Sequence, residues 1–289
     1  MVLHRFILHN DRIHEASEPV LAPGQIGLLS GWGVFTTLKV ADGVPFAFER
    51  HWARILRDAA TMNVPLPGNA EALRQKLLEL VEANRAFHST LRLVIVRNGG
   101  GMWAGPSTGC DSDVIALTAD SKDWGEGVKL GIVAHARHAA CEFATTKILS
   151  WAMNLTWVER AHQKGLDEVI LLNERGEVAE CTSANIFAAA GGLVWTPPVA
   201  SGCLPGITRE ILLGEIHVPG VQIAEKKLTP ADLHSADEVF ITSTTRNLLP
   251  VREIEGKPAG RTDRVCHALS HAFGEYVDRY VAAHKGAAV

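Results

Sequence analysis

A chain of 289 residues with 47% hydrophobic and 21% charged residues has enough apolar side chain for a sizeable core, in two modest domains or one large one. A net charge of −4 supplies no basic field for a phosphate backbone, and no apolar run nears the ~20 residues of a membrane span, so neither nucleic acid nor membrane is an expected partner. His4 and Arg5 interrupt the first stretch before a signal-peptide core forms, and Cys110, Cys141, Cys181, Cys203 and Cys266 are scattered without a CxxC pair, so reduced thiols and a cytoplasmic location are expected.

In chain order, Phe6-Ile7-Leu8 reads as a strand turned by Asn10-Asp11. Val34 to Val40, an Asp42-Gly43 turn and Val44 to Phe48 read as a hairpin. Glu49 to Asn63 is predicted helical, with Trp52, Ile55, Leu56, Ala59 and Met62 on one stripe and Pro65-Pro67 as the stop. Asn69 caps a second helix carrying Leu73, Leu77, Leu80 and Val81. Strands follow at Leu91–Val96 and Val114–Thr118, joined by a Gly-rich loop, and complete an α+β domain over residues 1–118. The polar stretch 119–127 reads as a linker, and 128–289 as a second domain mixing strands (Val128–Ala134, Glu168–Asn173, Ile186–Ala190, Leu193–Thr196, Val221–Lys226, Glu238–Thr242) with helices (Ala152–Lys164, Arg209–Glu215, Arg264–His284).

Several residues are candidates for chemistry, each with an ordinary alternative. Lys147, in ATTKILSWAMNL, has apolar neighbours that penalise its ammonium form and favour the free amine an aldehyde cofactor requires; read alone, it snorkels to the surface. Glu180, in GEVAECTSANIF, is either a solvated turn residue or an inward carboxylate needing a cation such as a protonated pyridine nitrogen. Gly206-Ile207-Thr208-Arg209 leads into a helix, where backbone N–H groups suit a phosphate and where Thr208 could equally be a plain N-cap. The hydroxyl run Thr242-Ser243-Thr244-Thr245 fits phosphate oxygens or a capped turn. Arg54 borders an apolar stripe as an anion clamp does, and Arg92 and Arg97 bracket a strand next to the Gly-rich loop, suited to gripping a carboxylate.

Three patterns are discounted. Gly99-Gly100-Gly101 does not open a helix and is no dinucleotide fingerprint. His135, His138, Cys141 and Glu142 lack a second ligand pair, so no metal is expected. Ser30 and Ser150 lack a GxSxG elbow.

Taken in order, Arg54, Lys147, Glu180, Gly206-Ile207-Thr208 and Thr244 resemble the class IV aminotransferases, the fold-type IV pyridoxal-phosphate enzymes. ECTSANIF (Glu180–Phe187), LPGITRE (Leu204–Glu210), ADEVFITSTTRNLLPV (Ala236–Val251), GVFTTLKV (Gly33–Val40) and ERHWARIL (Glu49–Leu56) carry the resemblance along nearly the whole chain. It implies an α/β (α+β two-domain) fold with a small N-terminal and a larger C-terminal α/β domain, a homodimer, and pyridoxal 5'-phosphate as cofactor. By the same resemblance Lys147 is the Schiff-base lysine and Glu180 the partner of the pyridine nitrogen. Arg54, Gly206, Ile207, Thr208, Ser243 and Thr244 hold the phosphate, and Leu204 packs behind the ring. The implied activity moves an amino group between an amino acid and a 2-oxo acid.

The substrate reading rests on differences within that family. The carboxylate trap of the D-amino-acid enzymes has a tyrosine where Phe35 stands and an Arg and a His where Met102 and Ala104 stand. The aminodeoxychorismate lyases, which release p-aminobenzoate and pyruvate, are similar in GVFTT, with Arg92 in place of a lysine. The branched-chain enzymes are most similar in LPGITRE, in ADEVF and in an arginine at position 92, although the tyrosine they carry after the lysine has no match in ILSWAMN, and Ser150 stands where the other two groups usually have asparagine. An L-amino acid with an apolar side chain is the expected donor, with Phe35, Arg92, Arg97 and Thr245 at the substrate and Trp32 and Trp103 lining an apolar pocket. The lyase and the D-amino-acid aminotransferase are the alternatives.

Overall fold

A computed structural model describes residues 2–102 and 109–285; Trp103 and Ala104 lie outside them. Its backbone contacts sort the chain into two compact units, Met1–Lys122 with Thr146–Trp151 and Val277–Val289, and Asp123–Thr145 with Ala152–Tyr276.

The first unit is built on a six-stranded sheet. β1 (Leu3–His9), β2 (Arg12–Glu15), β3 (Gly33–Ala41), β4 (Val44–Pro45), β5 (Ser89–Arg97) and β6 (Ser112–Asp120) pair antiparallel in the order β2-β1-β6-β5-β3-β4. A short helix α1 (Ile26–Ser30) precedes β3, and α2 (Phe48–Met62) and α3 (Ala70–Ala83) sit between β4 and β5 in the chain. Strand alternation divides β3 between two faces. Val34, Leu38 and Val40 pack with Ile55 and Ala59 of α2 and Leu73, Leu77 and Leu80 of α3, whereas Phe35 points the other way, to Val94, Val96, Leu149 and Trp151. Asn69 caps α3, its side chain accepting from the N–H groups of Glu71 and Ala72.

Two expectations for this unit are corrected. The second hairpin strand ends at Pro45, which has no N–H to continue the ladder, and Ala47 at φ 53° turns the chain into α2 at Phe48. The stripe on α2 is also rotated: Leu56 is 47% exposed, while Phe48, His51, Arg54, Ile55, Asp58 and Ala59 are buried. Three polar side chains therefore share the buried face, which the hydrophobic count alone did not anticipate.

The second unit holds a nine-stranded mixed sheet. β7 (Val128–Arg137), β8 (Glu168–Asn173), β9 (Val178–Cys181), β10 (Asn185–Ala190), β11 (Leu193–Thr196), β12 (Gln222–Glu225), β13 (Glu238–Ser243) and β14 (Asn247–Ile254) run in the order β12-β11-β10-β13-β14-β7-β8-β9, and β15 (Lys257–Pro258) pairs with β14. Parallel pairs β7–β8, β7–β14 and β11–β12 are set among antiparallel ones. The helices are α4 (Ala152–Gln163), α5 (Ile207–Gly214), α6 (Pro230–Ser235) and the part of α7 (Arg264–His284) up to Tyr276. The core gathers Leu130, Ile170, Val178, Ile186, Val239, Ile241 and Ile254, and Ala161 of α4 packs with Val169 and Leu171 on a second cluster. Glu238, 2% exposed, accepts from the backbone N–H groups of Val265 and Cys266 and so caps the start of α7. All five cysteines are free thiols. Among the described residues no helix is long and apolar enough to cross a membrane.

Candidate functional site

In the first unit the segment Thr146–Trp151 lies along the free edge of β3. Phe35 N–H donates to the Lys147 carbonyl at 3.1 Å, Leu149 N–H donates to the Gly33 carbonyl at 2.9 Å, and Val34 and Ile148 form an isolated bridge. Extended pairing of this kind holds the Lys147 main chain while its four-carbon stem reaches out. The ammonium lies 4.5 Å from the centroid of the Phe35 ring, and the Arg92 guanidinium lies 4.2 Å from the same centroid. Arg92 is opposite Thr37 in the β3–β5 ladder, on the Phe35 face. Burial lowers its pKa, and among the described residues it makes neither hydrogen bond nor ion pair.

Arg97 goes elsewhere. Five residues further along β5 it sits on the opposite face, stacks over Trp32 at 4.2 Å, and donates to the carbonyls of Gly99 and Asn63 at 2.5 Å each. Trp32 in turn donates its indole N–H to the Met62 carbonyl at 2.8 Å and packs with the α2–α3 side of the sheet, away from Phe35. Both side chains hold the fold together at this edge and are not brought to Lys147.

The buried face of α2 adds what sequence reasoning missed. Arg54 donates through Nη2 to Thr36 Oγ1 at 2.8 Å, and the same hydroxyl lies 2.6 Å from His51 Nδ1. Burial first, then the charges of Arg54 and Lys147, hold His51 well below the usual 6.5, so the ring is neutral. Its Nε2 has no hydrogen-bond partner among the described residues. Asp58, one turn beyond Arg54, accepts the Lys147 backbone N–H at 3.0 Å. The signal was present in the sequence: His51, Arg54 and Asp58 follow the 3, 4 spacing that puts polar groups on the same face as Ile55.

In the second unit Glu180 is on β9 and 7% exposed. Its Oε1 accepts from Arg137 Nε at 3.1 Å and its Oε2 from the Leu204 backbone N–H at 3.0 Å, so the inward carboxylate already has a protein cation beside it. Arg137 also reaches Asn154 of α4 at 3.4 Å, and Asn154 donates to the Thr182 carbonyl at 3.0 Å, which steadies the turn after Glu180. Burial pushes the neighbouring Cys203 thiol up to about 12, with the Glu180 charge adding to it, so Cys203 stays protonated.

Helix α5 begins at Ile207, two residues before the sequence suggested, because Gly206 is its extended N-cap. Thr208 is inside the first turn and does not cap it; no side chain does. Ile207 and Thr208 are buried, so the first N–H groups of the helix are not turned to open water. Asn185 donates to the Leu204 carbonyl at 2.8 Å, and a Cβ at position 206 would meet Asn185 Oδ1 at 2.1 Å. A larger residue at 206 would have to displace the Asn185 amide from this position. Ser243 ends β13 and Thr244, Thr245 and Arg246 form the turn to β14, where Ser243 Oγ accepts the Arg246 N–H at 3.2 Å and lies 3.4 Å from Thr245 Oγ1. A buried pair, Arg246 and Glu168, lies at 3.5 Å beside this turn, with Arg246 stacked 3.8 Å from the Trp124 ring and Ser183 bound to both partners.

Comparison with known proteins places these residues in context. A family model described as Amino-transferase class IV matches residues 33–254. The chain is 32% identical over 235 residues to a putative branched-chain-amino-acid aminotransferase of Methanocaldococcus jannaschii, covering 80% of this chain and 81% of that one. It is 30% identical over 258 residues to the D-alanine aminotransferase of Bacillus licheniformis, covering 88% and 90%. A hypothetical aminotransferase from Mycobacterium tuberculosis, solved in its PLP-bound form, has the same fold at a TM-score of 0.82 and 22% identity, with 94% of this chain and 99% of that one covered. Class IV aminotransferases act through pyridoxal 5'-phosphate. The residues of the second unit fit such a group: α5 starts with no side-chain cap, a Cβ at Gly206 would meet Asn185 Oδ1, and Glu180 is a buried carboxylate.

Proposed function

The chain belongs to the class IV aminotransferases and is a pyridoxal-phosphate-dependent enzyme, and we propose that Lys147 is the amine that holds the cofactor and Glu180 the carboxylate that keeps its pyridine nitrogen protonated. When bound, pyridoxal 5'-phosphate supplies a reactive carbonyl and an electron-withdrawing ring, which let an amino group leave one carbon skeleton and join another. The residues do the rest. The freed Lys147 amine carries the proton of the substrate's α-carbon. By the family resemblance Arg54, Gly206, Ile207, Thr208, Ser243 and Thr244 are the phosphate-binding residues, and Leu204 covers the ring.

The observation that carries the substrate reading is the Phe35 ring, with the Lys147 ammonium 4.5 Å and the Arg92 guanidinium 4.2 Å from its centroid. A carboxylate drawn to Arg92 is thereby held beside the reacting amine, against apolar Phe35, Val94 and Trp151. An L-amino acid with an apolar side chain and a 2-oxo acid acceptor are the substrates this favours, with Thr245 as a further substrate contact. A homodimer in the cytoplasm is part of the same reading and rests on the family resemblance.

The test is to incubate the holoenzyme separately with L-leucine and 2-oxoglutarate, with D-alanine and 2-oxoglutarate, and with aminodeoxychorismate, and to quantify glutamate and p-aminobenzoate. L-Glutamate from leucine is expected. Preference for D-alanine, or p-aminobenzoate without glutamate, overturns the substrate assignment and leaves the cofactor site standing.

A further inference from the structure

Asp58 is an expensive residue to keep where it is. It is 1% exposed on the inner face of α2, and a buried carboxylate is tolerated only when its oxygens are fully occupied. Both are. Oδ1 accepts from Arg57 Nε at 2.9 Å and Nη2 at 2.6 Å, and Oδ2 accepts the Lys147 backbone N–H at 3.0 Å. Arg57 is the preceding residue on the same helix and supplies the counter-charge from a 44% exposed position, which leaves Oδ2 to face the lysine segment.

The Lys147 carbonyl is bound to Phe35 on β3, and its N–H is bound to Asp58 on α2. With both peptide groups fixed to different elements, the origin of the lysine's flexible stem is set in two directions. The helix that fixes the N–H also carries Arg54, four residues earlier, and His51, seven earlier, on the same buried face. We propose that Asp58 is a positioning residue that holds the Lys147 main chain at a set distance from Arg54, so that an amine and a phosphate-binding guanidinium on separate segments serve one cofactor. This rests on the assignment of Lys147 as the cofactor-holding amine. Asp58 touches neither cofactor nor substrate; it acts through the lysine's backbone.

Two ligands separate positioning from general damage. Pyridoxamine 5'-phosphate has the ring and phosphate but no carbonyl to react with an amine, so its affinity for the apoprotein reports the binding site alone. The rate at which added pyridoxal 5'-phosphate becomes trappable by borohydride at Lys147, followed by peptide mass spectrometry, reports placement of the amine. Asp58→Ala is expected to slow trapping about tenfold, the effect of one charge-assisted hydrogen bond, while pyridoxamine 5'-phosphate affinity stays within about threefold. Asp58→Asn, whose amide oxygen still accepts the N–H, is expected to restore trapping to within about threefold of the parent. Hydrogen exchange on the unmodified apoprotein adds a measurement that needs no variant: the Lys147 amide is expected to be protected like those of β3. Wild-type trapping in Asp58→Ala, parallel loss of trapping and affinity, failure of Asn to rescue, or an unprotected Lys147 amide each overturns the proposal. A parent protein labelled at another lysine overturns the Lys147 assignment itself.

Discussion

The buried face of α2 in the first unit and the surroundings of β9 in the second both take charge out of water, but they balance it differently. Around β9 carboxylates meet guanidiniums: Glu180 has Arg137 at 3.1 Å and the buried Glu168 has Arg246 at 3.5 Å. Along α2 the crowding is of donors. His51, Arg54 and Lys147 are neighbours, His51 is forced neutral by burial and their charge, and its Nε2 has no partner among the described residues. The first region balances charge with ion pairs, whereas the second removes it by keeping an imidazole neutral and leaves His51 Nε2 unpartnered among the described residues.

Three substitutions probe that contrast. The largest effect is expected from Glu180→Gln, which keeps the shape but cannot hold a pyridinium proton. One charge-assisted hydrogen bond is worth about 1.5–3 kcal/mol, so single-turnover kinetics should show proton transfer slowed roughly ten- to a hundredfold with cofactor retained. An unchanged rate removes Glu180 from that role. Next is Arg54→Ala, which takes a guanidinium from the donor-rich face. Equilibrium titration of the apoprotein is expected to show the dissociation constant for pyridoxal 5'-phosphate raised about tenfold or more. The melting temperature should change little, and an unchanged constant at matched stability makes Arg54 a packing residue.

The smallest effect concerns pH. The folded pKa of His51 lies well below its ordinary 6.5, so below that value the unfolded chain binds a proton that the folded chain does not. This contribution is therefore fully present above the unfolded pKa and is lost as pH falls towards the folded one. In urea titrations between about pH 7.5 and about pH 5 the parent is expected to lose more stability than His51→Gln, which has no such proton to bind. Parallel slopes contradict a buried neutral imidazole.

How much of this was legible in the sequence depended on whether a signal was local. Strands Glu168–Asn173 and Leu193–Thr196 and helix Arg264–His284 have the bounds that their periodicity and flanking turns suggested. Strand β14 was missed; it contains a proline, Pro250, which sits opposite Phe240 next to an irregularity in the parallel pairing with β7. Strand β9 is four residues long, too short for an alternation to stand out. At the candidate site, motifs marked Lys147, Glu180 and the Gly206 turn because each is a run of neighbours. Arg137 is 43 positions from Glu180 and meets it only through the sheet, so no spacing pointed to it. Asp58 and His51 were hidden differently, since counting apolar residues passes over polar ones on a buried face.

The central claim is that the Lys147 amine holds the cofactor, and borohydride reduction of the holoenzyme tests it most directly by fixing the cofactor covalently to that amine. Digestion and mass spectrometry are expected to recover the phosphopyridoxyl group on the peptide containing Thr145-Thr146-Lys147-Ile148 and on that lysine alone. Recovery of the group on any other lysine contradicts the account.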